Sequence, residues 1–552
     1  MATRPCLKRK DSVLELMMAE AAEVLDEPNE TEVPKPSREL NKTNSARELV
    51  FGIVGHVGSG TSTVANDLCE ILGAQSVEGE QQQAVIVKAR NVIEGWAMAH
   101  SETLPTDSTP MMEAVSRFQD LGDQMRSSGD HAAVARGLIR NIREQRATFQ
   151  GTEVAEEEPV NPDGKPRAYI LDSLRHPAEV NLLRRVYGDA FVLVGVVCEE
   201  DTRAERISQK YRDAGLDAAD AFMRRDAKAS AKHGQRVSDA FHLSDYFIDN
   251  SASRFLDEDR TKSNPNWGIT DHLERLIKLV THNQIERPRI DETAMYAAAG
   301  AGMRSACLSR QVGSAVLDAS GNIVATGANE VPRAGGGVYG ETLSDDSPDD
   351  RCFVTRRACS NTKEQIQMAN DLFDDLKDLL KEDLSRESVI QELRDSRVGE
   401  LLEFSRAVHA EMDALLEAGR KGVSTIGARV FVTTFPCHYC ARHLVSSGVD
   451  EVQYIEPYPK SKAFSLHGDS IQNDIGANEW KAPSLGGTSV LFRPFTGVAP
   501  RMYRRAFQKN KELKNSLTGE MEINEPEWGS PYDISKRSYA EFEVSLTKGF
   551  VS

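Results

Sequence analysis

The chain has 552 residues, of which 39% are hydrophobic and 28% charged, and its formal net charge is −18. That length supports two or three domains, each with its own core. No apolar run approaches the ~20 residues of a membrane span, and the acidic balance argues against broad binding to phosphate backbones while leaving room for a local basic patch.

The opening "MATRPCLKRKDS" has no apolar h-region, so no signal peptide is expected. Eight scattered cysteines suit a reducing cytoplasm better than a disulfide framework. Residues 1–46, rich in Glu, Pro, Lys and Ser, read as a disordered arm with at most one short helix over 12–25. From 47 to 285 buried strands alternate with helical segments. "ELVFGIVG" (48–55) is a strand running into Gly55-His-Val-Gly-Ser59-Gly60-Thr61-Ser62-Thr63, followed by a helix to about residue 73. A G-x-x-x-x-G-x-S run between a strand and a helix is the Walker A layout. Its backbone N–H groups and helix N-terminus cradle phosphates, which makes Gly55, Ser59, Gly60, Thr61, Ser62 and Thr63 candidate nucleotide contacts. Thr61 stands where the usual lysine would be, and this counts against ordinary ATP hydrolysis. Further strands are expected at 83–89, 167–173, 191–198 and 245–251, the second of them ending in a Walker-B-like Asp172. Five such strands form a P-loop nucleotide-kinase-like parallel sheet. Arg203, Arg206, Arg224, Arg225, Lys228 and Lys232 follow the fourth strand, where nucleotide kinases carry a phosphate-gripping lid. For any one of them a solvated, charged helix pair is the better explanation.

"HNQIERPRIDE" (282–292) reads as a polar joint between domains. A second domain spans 288–510: a small-residue helix, then a hairpin over 312–332 with its turn at Ser320-Gly321, ending near Asn329. The Gly- and Asp-rich loop 333–360 holds Cys352 and Cys359, which are either part of a second metal site or free thiols. Residues 362–397 are amphipathic helix interrupted near Ser385. Next come His409-Ala-Glu411, a helical run, a strand at 428–435 and Pro436-Cys437-His-Tyr-Cys440. One imidazole and two thiolates make three ligands for Zn2+ and leave the fourth tetrahedral position open, the pattern of a catalytic site. Zinc with two thiolates is formally neutral and a weaker Lewis acid, so a carboxylate such as Glu411 is needed to move protons. A structural finger using His438 or His443 as a fourth ligand is the competing reading. Helices starting at each ligand group favour the thiolates. Another strand and a Tyr458-Pro-Lys460-Ser461 turn follow, then a last strand, a basic helix, and a polar tail (511–552).

"SRQVGSAVLDASGNIVATGANEVP", "VHAEMDALLEAG", "TTFPCHYCARHLVSSGVDEVQYIEPY" and "FTGVAPRMY" together resemble the deoxycytidylate deaminase family. H-x-E…P-C-x-x-C is the signature of zinc nucleobase deaminases in general, while the Asn329 element and the long insert at 333–400 favour an enzyme of free nucleotides. With its P-loop half in front, the whole chain resembles the bacterial antiphage dCTP/dCMP deaminases. The resemblance implies an α/β protein whose second domain is a cytidine-deaminase-like α/β/α sandwich. It implies that His409, Cys437 and Cys440 hold Zn2+, that Glu411 shuttles protons, that Asn329 contacts the deoxyribose, and that the Tyr458–Lys460 turn borders base and phosphates. Arg333, Lys460 and Lys462 are cations expected near the substrate. The implied activity is deamination of free dCTP or dCMP, depleting the dCTP pool during infection. The P-loop half is then regulatory, with a nucleotide as its ligand and a small inhibitory RNA and a second copy of the chain as partners. Two rivals remain. A polynucleotide-editing deaminase needs a basic channel with stacking aromatics, and 6% aromatics offer little sign of one. A P-loop phosphotransferase with a regulatory zinc domain is disfavoured by Thr61.

Overall fold

The computed structural model describes residues 45–548 except 78, 128, 155–157, 212–215, 228–232, 258, 260, 265–266, 282–284, 341–347, 381–383, 402, 459–460, 474–479, 509–513, 516 and 521–535. The N-terminal arm, Lys228, Lys232 and Lys460 lie outside the described residues, as do parts of the 282–292 joint and of the C-terminal tail. Among the described residues no helix is long and apolar enough to cross a membrane.

Every residue of β1 (Glu48–Val54) is buried, because both faces of its sheet are covered. Side chains alternate across it: Leu49, Phe51 and Ile53 enter one apolar cluster, Val50 and Val54 the other. Around β1 run β2 (Gln83–Lys88), β3 (Arg167–Asp172), β4 (Phe191–Val197) and β5 (Tyr246–Asp249). All are parallel, in the order β2-β3-β1-β4-β5. Helix α1 (Thr61–Gly73) leaves the end of β1 and packs Val64, Ala65 and Leu68 on one face with Leu273 and Leu276 of α5 (Ile269–Thr281). Helix α2 (Ala133–Gln150) covers the other face. The basic segment after β4 forms α3 (Glu200–Lys210) and α4 (Leu216–Ala227).

The second sheet runs β10 (Ile471–Gln472), β11 (Val490–Pro494), β9 (Glu451–Glu456), β8 (Arg429–Thr434), β6 (Gly313–Leu317), β7 (Ile323–Ala328). The β6–β7 and β6–β8 pairs are antiparallel and the others parallel. Ala294, Met295 and Ala298 of α6 (Ile290–Gly302) pack on Ala315, Leu317 and Phe431. On the opposite face Ala414 and Ala418 of α7 (Ala410–Arg420), with Ala441 and Leu444 of α8 (His438–Ser446), meet Val316, Val430 and Val432. This is an α/β/α sandwich. Gly327 lets the edge strand approach α7, since a Cβ there would lie 2.2 Å from the Ala410 carbonyl oxygen. Asp413 and Glu417 of α7 then accept from the Ala328 and Thr326 amides (3.1 and 2.8 Å), which fixes the helix against the strand. In the long insert, helices span Ser360–Leu376 and Arg386–Asp395, and the break falls at Ser385, whose hydroxyl caps the second.

The two halves share structure. A two-residue strand, β12 (Gly497–Val498), leaves the second half and pairs antiparallel with β5, covering the edge of the first sheet. Glu292 ties the junction: fully buried, it accepts from Arg275 of α5 (2.6 and 2.8 Å), from the Arg289 amide (2.7 Å) and from the Val498 amide (2.9 Å). One apolar cluster contains Phe247 of the first sheet together with Phe431 and Phe495 of the second half. Within the C-terminal stretch read from sequence as a polar tail, Lys536–Thr547 is a helix, α9, docked on α2.

Candidate active site

His409 is the N-cap of α7 and Cys437 the N-cap of α8, both with extended backbone, so each helix begins at a ligand group. Cys440 follows one turn into α8. The His409 Nδ1 atom lies 3.3 Å from Cys437 Sγ and 3.4 Å from Cys440 Sγ. Zinc bonds of ~2.0–2.3 Å in a tetrahedron separate their donors by about 3.5 Å, so this nitrogen and these two sulfurs fit the ion. Among the described residues these three make the one group of His, Cys, Asp or Glu that could hold a metal. Neither His438 nor His443 joins it, which removes the fourth ligand that a structural finger requires. Cys352 and Cys359 do not join such a group either. They are free thiols, Cys352 near Arg406 (3.7 Å) and Cys359 near Ser309 (3.6 Å).

The ligand set is charged before any ion enters. The hydrogen bond with Cys437 raises His409 to about 9 against the opposing effect of burial. The two thiols titrate as a pair. Hydrogen bonds from Cys440 and His409 bring Cys437 down to about 4, while the same partnership and burial hold the Cys440 proton well above the usual thiol range.

Glu411 sits in the first turn of α7 and is 4% exposed. Burial pushes its carboxyl up to about 7, against the pull of the His409 charge. A carboxyl in that range takes up and gives back a proton with little penalty at neutral pH. A cavity of about 250 Å³ opens on His409, Glu411 and Cys437, and its wall includes Asn329, Phe435 and Tyr458. Asn329 is 8% exposed, and its amide bridges backbone: Nδ2 donates to the Arg310 carbonyl (2.6 Å) and Oδ1 accepts from the Val312 amide (2.7 Å).

Arg333 does not line this cavity, because its guanidinium donates back to Gly336 in its own turn (3.2 Å). Lys462 caps the short helix Ala463–His467 and also lies outside the lining. Sequence reasoning missed Arg310, Asn361 and Ser405, which do line it. Asn361 donates to the Leu401 carbonyl (2.9 Å), tying the start of the Ser360–Leu376 helix to the segment that leads into His409.

In the first half the 55–63 loop turns through Gly58 and Gly60 at φ +83° and +82°, backbone that glycine alone adopts readily. Asn250 donates to the Ser59 carbonyl (2.7 Å), and a Cβ on Gly60 would lie 2.3 Å from the same amide nitrogen. Ser62 Oγ donates to Asp172 (2.7 Å), while Thr61 is buried and Thr63 donates its amide to Gly60 (3.0 Å). The Val57 amide donates to Asp226 of α4 (2.7 Å), which also pairs with Arg175 (2.6 Å). The basic cluster divides: Arg203 and Arg224 line a cavity beside this loop, Arg206 holds Cys198 and Ser251, and Arg225 pairs with Asp120 and Asp123.

Residues 288–456 match the cytidine and deoxycytidylate deaminase zinc-binding region. Deoxycytidylate deaminase of Enterobacteria phage T2 is 35% identical over 83 residues, covering 15% of this chain and 43% of that protein. The phage T4 deoxycytidylate deaminase is 37% identical over 76 residues, covering 14% and 38%. ComE operon protein 2 of Bacillus subtilis (strain 168) is 41% identical over 54 residues, covering 10% and 29%. The chain thus spans less than half the length of these relatives. Its second half is thus similar, over residues 288–456, to the cytidine and deoxycytidylate deaminase zinc-binding region.

Proposed function

We propose that this protein hydrolytically deaminates free deoxycytidine nucleotides, dCMP or dCTP, to the deoxyuridine nucleotides and ammonia. The observation that carries the reading is Glu411: a buried carboxyl raised to about 7, beside His409, Cys437 and Cys440 in a cavity. Zinc held by those three residues supplies Lewis acidity that makes water nucleophilic near neutral pH. Glu411 takes a proton from the attacking water, and C4 gains the oxygen. Glu411 delivers that proton to N3 and then carries the second one, from the new C4 hydroxyl, to the departing 4-amino group, so that water and cytosine balance uracil and ammonia. Asn329 and Tyr458 are assigned to sugar and base, and Arg310 replaces Arg333 as the cation nearest the phosphate.

In this reading residues 288–510 are the catalytic domain and 47–285 a regulatory one. The 55–63 loop keeps its backbone nest and the Ser62–Asp172 pair but lacks the lysine that phosphoryl transfer uses, which suits holding a nucleotide without hydrolysing it. Depletion of cytosine deoxynucleotides during phage infection, and control by a small RNA, follow from the resemblance. The test is chromatography of dCMP, dCTP, deoxycytidine and a cytosine-containing oligonucleotide after incubation with the protein, with and without a chelator. Chelator-sensitive conversion of the free nucleotides is expected. Turnover of the oligonucleotide alone would make the protein an editing enzyme.

A further inference from the structure

The 55–63 loop is buried or half-buried from Gly55 to Thr61 and exposed at Ser62 and Thr63. It borders a second cavity, of about 710 Å³, whose opposite wall belongs to the deaminase half. His56, Ser59, Arg203 and Arg224 line one side, Tyr454 and Phe464 the other. The volume suits a ligand of nucleotide size. The geometry points to a nucleoside-triphosphate site shared by both halves, with the phosphates in the 55–63 loop and the base against Tyr454 and Phe464. The inference deepens the proposed nucleotide-holding role of the first half and rests on it.

Four observations support the phosphate end. The Gly60, Thr61 and Ser62 amides at the start of α1 have no hydrogen-bond partner among the described residues, and helix N-termini with such orphan donors attract anions. Ser59 is 1% exposed, lines the cavity, and its hydroxyl has no partner either. The loop already holds one anion of its own, since the Val57 amide donates to the buried Asp226 carboxylate. Arg203 and Arg224 add two guanidinium groups on the same side.

The other end calls for a nucleoside and not for polyphosphate alone. Tyr454 and Phe464 offer aromatic surface of the kind on which bases stack. Glu199, Glu200 and Asp201 line the cavity as well. They oppose a ligand that is anionic along its whole length, and they accept from the amino and hydroxyl donors of a base and sugar. The aromatic wall backs onto the candidate active site through Phe435. Phe435 lines the catalytic cavity, and its ring lies 4.8 Å from that of Tyr454 and 5.5 Å from that of Phe464.

The test is equilibrium dialysis of the full chain, with magnesium, against ATP, GTP, UTP, dTTP and inorganic triphosphate. At least one of the four nucleotides should bind ten-fold or more tightly than inorganic triphosphate. Arg224→Glu should weaken nucleotide and triphosphate alike, by ten-fold or more. Phe464→Leu, which keeps an apolar side chain there, should weaken the nucleotide about five-fold or more and leave triphosphate unchanged. Tight nucleotide binding that Phe464→Leu does not alter would overturn the shared site and spare the regulatory reading of the first half. Failure of all four nucleotides to bind would overturn both. Thermal denaturation of each variant guards against reading misfolding as lost affinity.

Discussion

Arg146 and Glu543 form a fully buried ion pair, 2.7 Å apart, that fastens α9 to α2. The same guanidinium also holds Glu48 on β1 at 2.8 Å, and the hydroxyls of Tyr187 and Tyr539 donate to the two carboxylates. Burial raises Glu543 above the usual carboxylate range, opposed by Arg146. The C-terminal helix is therefore held to the first sheet by charge inside the protein.

Removing the shared cation leaves two buried carboxylates facing each other. Arg146→Met should cost about 3–5 kcal/mol of stability, the range for an uncompensated buried charge. Glu543→Gln should cost less, because the amide keeps hydrogen bonds and one of the two negative charges is gone. Urea unfolding read by far-ultraviolet circular dichroism checks the order. If Glu543→Gln proved as damaging as Arg146→Met, the cation would not be what holds the cluster together.

The proposed function assigns metal binding to His409, Cys437 and Cys440 and proton transfer to Glu411, and these roles can be separated. Glu411→Gln should keep zinc and fold while lowering deamination by about 10²–10⁴, the usual contribution of a general acid–base group. Cys437→Ala and Cys440→Ala should lose zinc and activity together. Metal analysis beside turnover of dCMP distinguishes the cases. Full zinc in a cysteine variant, or near-normal turnover in Glu411→Gln, would reassign the residue concerned.

What the sequence disclosed depended on range. His409, Glu411, Cys437 and Cys440 occupy two short segments, each opening a helix, so their spacing alone marked them as a candidate site. Most strands of both sheets were visible because covered strands are apolar runs, as in "FVLVGVV", whereas the two-residue β10 was not. Arg310 was not visible: it precedes a strand, nearly a hundred residues from His409, and the fold alone brings them to one cavity. Arg333 lies close in sequence to Asn329, but its own turn consumes it. Helix α9 escaped because its docking surface includes Tyr539 and Glu543, and polar residues that pair inside a protein look like surface residues in a sequence. The two-residue β12 carries too little pattern to reveal that it joins the other half's sheet.

His56 gives the first half a dependence on pH. Burial, followed by the charges of Arg203 and Arg175, brings its pKa down from 6.5 to about 3. The unfolded chain binds this proton below pH ~6.5 and the folded chain only near 3, so stability is full above 6.5 and falls as the pH drops between those values. His56→Asn should remove that component. The stability difference between the wild type and the variant should therefore shrink on acidification, by at most roughly 1.4 kcal/mol per pH unit. Urea unfolding at pH 8, 6 and 5 measures it, and a difference independent of pH would mean that His56 titrates in the folded protein as it does in the unfolded chain.

Arg310 carries the last prediction. Among the described residues it is the one lysine or arginine lining the catalytic cavity. Its guanidinium lies 2.8 Å from Glu456 and 5.7 Å from the centre of the Tyr458 ring, and its side chain is 51% exposed. An exposed pair of this kind contributes about 0–1 kcal/mol, so a phosphate can draw the guanidinium away from Glu456. A charge-assisted hydrogen bond to phosphate contributes about 1.5–3 kcal/mol. Arg310 and Glu411 line the same cavity, so with the base at Glu411 the guanidinium is the group expected to meet the phosphate, and the ring and sugar do not need it. Arg310→Ala should therefore raise KM for dCMP ten-fold or more, change kcat little, and leave turnover of deoxycytidine as it was; Arg310→Lys should restore part of the loss. If KM for dCMP and for deoxycytidine rose together, Arg310 would be shaping the cavity through Tyr458 instead of binding phosphate. If neither moved, the phosphate would have to be held elsewhere.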